Sequence, residues 1–175
     1  MDIAKPEELE RTRETATSEA ERAEVNFRAI ERPKEQSTLS HEISFTDEAG
    51  RSITTKTWES GNQAYIRAYD TAASEVPKDV NPGQAGYANA TLETAPDGHL
   101  RVRLNDIVTQ ADYRGAGVAS NMIEQTEQFA RSKGASEIYG SIDSADAQSY
   151  WQHQADKGWT IDYAKGAYGA VSKRL

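Results

Sequence analysis

The sequence predicts an α/β fold built on a mixed, mostly antiparallel sheet and preceded by a long polar N-terminal helix. Three observations carry that expectation. Residues 39–109 break into short runs in which apolar and polar residues alternate, separated by turn residues. Residues 117–133 then switch to a single apolar stripe of helical period, and a short strand follows at 136–142. Residues 6–31 carry charged pairs at helical spacing and few apolar residues.

The elements follow in order. Pro6 suits a first helical position, and Glu7 and Glu8 favour the positive end of the helix dipole. Glu7–Arg11 and Glu24–Arg28 are i,i+4 pairs, each worth about 0.2–0.5 kcal/mol. Leu9, Val25, Phe27 and Ile30 are thin apolar cover, and Pro33 ends the helix. This divides the chain into a helical arm, 1–37, and a folded domain, 38–175. Leu39, His41, Ile43 and Phe45 alternate as a half-buried strand does. Residues 47–50 are a turn, Ile53 to Trp58 a second strand, Gly61-Asn62 a second turn, and 63–71 a third strand. Two prolines and a glycine make 74–84 a loop. Residues 86–94 and 99–109 form a further hairpin around Pro96-Asp97-Gly98, with the second strand long enough to be central. In helix 117–133 the stripe is Val118, Met122, Ile123, Phe129 and Ala130, and Gly134 stops it. Strand, helix and strand in this order imply a right-handed parallel crossover. Residues 145–156 read as a second helix, and 159–164 with 167–174 as a last hairpin around Lys165-Gly166.

Charge and composition narrow the function. The net charge is -8, and it is unevenly spread. Residues 1–37 hold ten acidic and seven basic residues, residues 38–98 nine and four, and residues 99–175 nine of each. A nucleic-acid binder needs phosphate-neutralising cations, so neither nucleic acid nor a membrane surface is an expected partner. The absence of Cys excludes disulfides, thiolate zinc sites and a cysteine nucleophile. His41, His99 and His153 lie far apart with no metal-binding spacing, so no metal is expected. The first residues are polar with no apolar run, and no 18-residue apolar window exists, so a cytoplasmic protein without secretory leader or membrane span is expected.

One segment carries chemistry. Between strand 99–109 and helix 117–133 the chain reads Ala111-Asp112-Tyr113-Arg114-Gly115-Ala116-Gly117-Val118-Ala119-Ser120. The first N–H groups of a helix lack internal partners and sit at the positive end of its dipole. Glycines there let a ligand approach the backbone without a Cβ in the way, which is the physics of a phosphate cradle. Arg114 would add a charged contact. Glycines at this point equally serve a tight turn and close helix packing. No Walker lysine follows, and the run does not fit GxGxxG.

Tyr113 to Ala119 resembles the Arg/Gln-x-x-Gly-x-Gly/Ala motif of the GNAT superfamily of N-acetyltransferases. The likeness extends to Ile107-Val108-Thr109 in the central strand, to the helix and strand that follow, and to Tyr150-Trp151 with Gly158-Trp159 as the closing aromatic element. It covers roughly residues 84–175. The first half departs from the family's usual order, because one polar helix precedes three strands where two helices normally form a wall of the acceptor site.

The resemblance implies a sheet whose central strand pair is splayed, with acetyl-CoA in the slot. It implies that the amides of Arg114, Gly115, Ala116, Gly117, Val118, Ala119 and Ser120 hold the pyrophosphate. Ile107, Val108 and Thr109 would pair with the pantetheine arm, and a backbone N–H near Thr109 would polarise the thioester carbonyl. The reaction implied is acetyl transfer from acetyl-CoA to a primary amine, and the acidic first half points to a cationic one. Two proton steps remain, since a free amine has a pKa near about 10.4 and the thiolate must gain a proton. Tyr150 is the candidate acid, with Trp151 the alternative occupant of the same family position. Asp106 is the candidate base, although strand alternation sets it opposite Ile107, and Glu93 or an ordered water are alternatives. Many family members keep a glutamate on this strand, and its equivalent falls near Arg103, which has no basic lone pair to offer. The competing function is a catalytically weak or inactive module of the same fold that binds a partner protein. The N-terminal helix would serve that partner or a second copy of the chain. A toxin-like enzyme acting on aminoacyl-tRNA is disfavoured by the acidic balance.

Overall fold

A computed structural model describes residues 37–73 and 83–175. The helix expected over 6–31, with any role for it, and most of the loop expected at 74–84 lie outside the described residues. Among the described residues eight strands form one sheet: β1 (Thr38–Thr46), β2 (Ser52–Ser60), β3 (Gln63–Asp70), β4 (Gln84–Thr94), β5 (Leu100–Thr109), β6 (Glu137–Ser141), β7 (Thr160–Asp162) and β8 (Ala170–Arg174). Their order across the sheet is β1-β2-β3-β4-β5-β6-β8-β7. Every neighbouring pair is antiparallel except β5 and β6, which are parallel. Helix α1 (Val118–Ser132) connects those two, as a parallel pair requires.

The core lies between the sheet and α1. Ile53, Ala64, Ile66, Ala68, Ala88, Ala90, Val102 and Leu104 face Val118, Met122, Ile123, Phe129 and Ala130 of the helix. Alanines on β3 and β4 keep the middle of the sheet shallow, so the helix sits close. Gly86 marks the tightest approach. A Cβ there would meet the Val108 carbonyl oxygen at 2.6 Å and Met122 Cε at 3.0 Å. Truncating a buried anchor such as Phe129, 3% exposed, would cost about 3–5 kcal/mol. The helix ends where the sequence places its stop, with Gly134 at φ +71°.

The parallel pairing of β5 with β6 runs only from Arg101–Glu137 to Leu104–Gly140. Beyond it, among the described residues, β5 continues alone on that side for five residues, while β6 stays with β8 as far as Ser141–Ala170. The cause is on the other edge of β5. Its pairing with β4 slips between Ala90–Leu104 and Asn89–Asp106, leaving Asn105 as a bulged extra residue. A bulge bends and twists its strand, and here it starts the separation from β6.

β4 begins at Gln84, two residues before the expected strand, and two later boundaries also differ from expectation. Helix α2 runs Ala145–Gln152 instead of 145–156. Its N-cap is Ser144, whose side chain accepts from the Ala147 amide at 3.1 Å. At its other end the His153 and Gln154 amides bond three residues back, to Tyr150 and Trp151, and a single turn at Ala155–Lys157 follows. That tightening carries Trp159 back onto Trp151, with ring centres 4.6 Å apart. The last hairpin has shorter strands and a longer loop than expected. The Asp162 side chain accepts from the Ala164 amide at 3.1 Å, a local turn that ends β7 early.

Candidate functional site

The separation of β5 from β6 opens a cavity of about 760 Å³. Ile107, Val108 and Thr109 form one wall. Tyr113, Arg114, Gly115, Gly117, Val118, Ala119 and Ser120 form its end, and α2 supplies Asp146, Ala147, Ser149, Tyr150 and Trp151. Ile107–Thr109, Arg114, Gly115, Gly117–Ser120 and Tyr150 are thus brought together. Ala116 faces a second cavity of about 730 Å³ on the other flank of the loop, shared with Asn121, Glu124 and Lys157. Asp106 is exposed and outside the cavity wall.

The turn before α1 is a nest of backbone donors. Gly115 and Gly117 both take left-handed conformations, φ +76° and +80°, which only glycine adopts at little cost. Among the described residues nothing lies within 4 Å of a Cβ position on Gly115. The Arg114 and Ala116 amides make long bonds of 3.3 Å to Ala111 and Tyr113. The amides of Val118, Ala119 and Ser120 open the helix and have no intrahelical acceptor. Arg114 lies 3.7 Å from Asp146, but both side chains are largely exposed, so that pair is weak and the guanidinium is available to an anion.

Residues distant in sequence hold this loop. The Arg51 guanidinium donates to the Asp112 carbonyl at 2.9 Å and lies 4.4 Å over the Tyr113 ring. Arg51 is itself fixed by Asp47, through its amide at 2.8 Å and Nε at 2.7 Å. The Tyr113 hydroxyl donates to Asp70 Oδ2 at 3.1 Å. Burial pushes the Tyr113 pKa up and the Asp70 acceptor adds to it, so the hydroxyl remains a donor. These partners lie 43 and 61 residues from the loop, and only their turn-rich setting was visible beforehand.

The aromatic pair divides its work. Trp151 is 2% exposed and lies against Trp159 with its ring tilted by 51°, so it packs. Tyr150 meets it edge-on at 5.4 Å and turns its hydroxyl to within 3.5 Å of Ser120 Oγ. That distance is long for O–H···O, which leaves the hydroxyl able to serve another partner. Burial pushes its pKa up, against a smaller downward pull from Ser120, so it stays protonated at neutral pH.

The bulge also resets the alternation of β5. Asp106 pairs with Asn89, and Asn89 Nδ2 donates to its Oδ2 at 3.3 Å. Glu93 lies elsewhere. It sits opposite Arg101 and accepts from the Tyr139 hydroxyl. Six residues separate Arg101 from Ile107, roughly 20 Å along a strand. His99 pairs with Asp97, and the His153 ring bonds the Ser149 carbonyl at 2.7 Å. Among the described residues no three His, Asp or Glu are grouped to hold a metal, and no helix is long and apolar enough to cross a membrane.

A family model described as the acetyltransferase (GNAT) family matches residues 45–154. The chain belongs to that family. The match spans the loop, α1 and all of α2. Solved structures agree at the level of fold. A chain of the NatC complex bound to Gag peptide and CoA superposes with a TM-score of 0.50 at 13% identity, covering 63% of this GNAT chain and 70% of that one. Nourseothricin acetyltransferase superposes with a TM-score of 0.50 at 16% identity, covering 79% and 85%. A search of curated proteins found no match. The eight-stranded GNAT-like sheet with its splayed central pair accords with the fold expected from the sequence.

Proposed function

We infer that this GNAT chain transfers an acetyl group from acetyl-CoA to a primary, cationic amine. The observation that carries the reading is the junction of the donor-rich turn with the open edge of β5 in a single cavity. The residues present suit acetyl-CoA. Amides of Gly115 and Gly117–Ser120 would hold the pyrophosphate, where a Cβ on either glycine would be strained. The unpaired edge of Ile107–Thr109 would take the amides of the pantetheine arm. Thr109 lines the cavity, and among the described residues its buried Oγ1 has no hydrogen-bond partner, one that a polar ligand group would supply.

Bound acetyl-CoA would supply an acetyl thioester. The protein's part is placement and two protons. The Asp106 carboxylate draws the ammonium to the mouth of the slot and accepts its proton, leaving a neutral amine as nucleophile. The Tyr150 hydroxyl gives its proton to the departing sulfur. The excess negative charge of residues 38–98 favours a cation on the acceptor side.

Isothermal titration of the folded protein with acetyl-CoA tests the reading. Saturable binding is expected, and it should vanish in Gly117→Asp, where a carboxylate would stand against the pyrophosphate. No heat at millimolar acetyl-CoA, or unchanged affinity in the variant, would overturn it.

A further inference from the structure

The sheet face turned away from α1 holds an arginine that no part of the reaction described above uses. Arg67 on β3 is 1% exposed. Its Nη1 donates to the carbonyls of Ile66 at 2.8 Å and Ala88 at 3.2 Å, and to Asn89 Oδ1 at 3.1 Å. Its guanidinium lies over the rings of Tyr87 and Tyr65, 5.4 and 6.0 Å from their centres. A buried cation held by carbonyls and ring faces is expensive to move, so it is a fixed point.

That fixed point determines how Asn89 is oriented. An asparagine amide has one acceptor end and one donor end. Arginine only donates, so Asn89 turns its oxygen to Arg67. Its Nδ2 is thereby aimed across the strand pair at Asp106 Oδ2, 3.3 Å away. An ionised carboxylate only accepts, so the two neighbours select the same amide orientation. Among the described residues Asp106 is consequently held by one oxygen, and the exposed side chain leaves the other to solvent. Asp106 and Val108 share a face of β5, about 6.6 Å apart along the strand, and Val108 lines the cavity.

We propose that Arg67 and Asn89 are positioning residues which hold Asp106 so that its second oxygen receives the ammonium of an aliphatic primary amine beside the slot. The proposal rests on the transfer reading for its meaning, but it concerns a cation site that exists without acetyl-CoA. Tyr87 reports how closely that charge is felt: after burial, Asp106 is the next influence pushing its hydroxyl pKa up, while Arg67 pulls it down. The bulge at Asn105 makes the arrangement possible, because it brings Asp106 opposite Asn89.

The test is an NMR titration of the full chain with spermidine at constant ionic strength, following the Asn89 side-chain amide, assigned by its loss in Asn89→Ala. A saturable shift is expected in the wild type. It should fall at least fivefold in Asp106→Asn and with tetramethylammonium, which has no N–H to donate. No shift at saturating spermidine, or an equal shift in Asp106→Asn or with tetramethylammonium, would overturn the proposal. Asn89→Asp keeps an acceptor for Arg67 but replaces the donor facing Asp106 with a carboxylate. It should lower kcat/KM for the amine at least tenfold while leaving the KM for acetyl-CoA and the melting temperature unchanged. Values within twofold of wild type would refute the positioning role. Acetyl-CoA titration of the same samples separates the two ideas: no acetyl-CoA binding with the spermidine response intact removes the transfer reading and supports the cation site.

Discussion

The guanidinium of Arg51 lies 4.4 Å over the ring of Tyr113 while donating to the carbonyl of Asp112, so a β1–β2 turn residue clamps the loop that opens α1. The clamp explains how a turn with two left-handed glycines keeps one shape. Replacing Arg51 with Met should loosen the loop without touching the cavity wall. A several-fold rise in the acetyl-CoA Kd is expected by titration calorimetry. Tyr113→Phe keeps the ring contact but removes the bond to Asp70, at a cost of about 1 kcal/mol in thermal denaturation. An unchanged Kd in Arg51→Met would separate the clamp from ligand binding.

The same clamp carries a pH dependence. Burial raises the Asp47 pKa, but the Arg51 amide and guanidinium outweigh it and hold the carboxyl below its ordinary 3.8. A depressed carboxyl contributes stability that is complete above its unfolded pKa and is lost as the pH falls through its folded pKa. Melting temperatures followed from pH 6 down to pH 2 should therefore fall less steeply in Asp47→Asn than in the wild type below about pH 4. Parallel curves would show that the pair does not couple to folding.

Much of this architecture was legible because it is local. The strands from Thr38 to Thr109 announce themselves by alternation, α1 by its stripe, and the loop by Gly115 and Gly117. What stayed hidden is set by contacts distant in sequence or by a one-residue slip. Nothing near Tyr113 points to Arg51 or Asp70. Strict alternation places Asp106 opposite Ile107 without showing that Asn105 is bulged, and the bulge is what aligns Asp106 with Asn89. The choice between Tyr150 and Trp151 depends on Trp159, which reaches Trp151 only because the second helix stops at Gln152.

In the sequence Gly86 reads as one residue of a strand, yet it fixes how closely β5 and α1 approach. A methyl group there would stand 2.6 Å from the Val108 carbonyl oxygen, a backbone atom, and 3.0 Å from Met122 Cε. Gly86 pairs with Thr109, so relief must come from moving β5 at the cavity wall. Gly86→Ala should cost about 1–3 kcal/mol in denaturant unfolding and weaken acetyl-CoA binding together. Loss of stability with unchanged affinity would mean that α1, not β5, yields.

Tyr150→Phe tests the proton that Tyr150 is proposed to give to sulfur. The ring stays, so its edge contact with Trp151 at 5.4 Å and the shape of the cavity should persist. Acetyl-CoA affinity and the melting temperature should match the wild type. A missing general acid typically slows the chemical step by about 10²-fold or more, so kcat should drop by that order with the amine that the wild type acetylates fastest. The pH profile gives the sign. An acid must be protonated to act, and burial lifts the Tyr150 pKa above its ordinary 10.0. The wild-type kcat should therefore hold as the pH rises and decline only above that ordinary value, and the Phe variant should lack this decline. A variant that keeps both the wild-type kcat and its alkaline limb would move the acid to another group, and Ser120, 3.5 Å away, would be the next to replace.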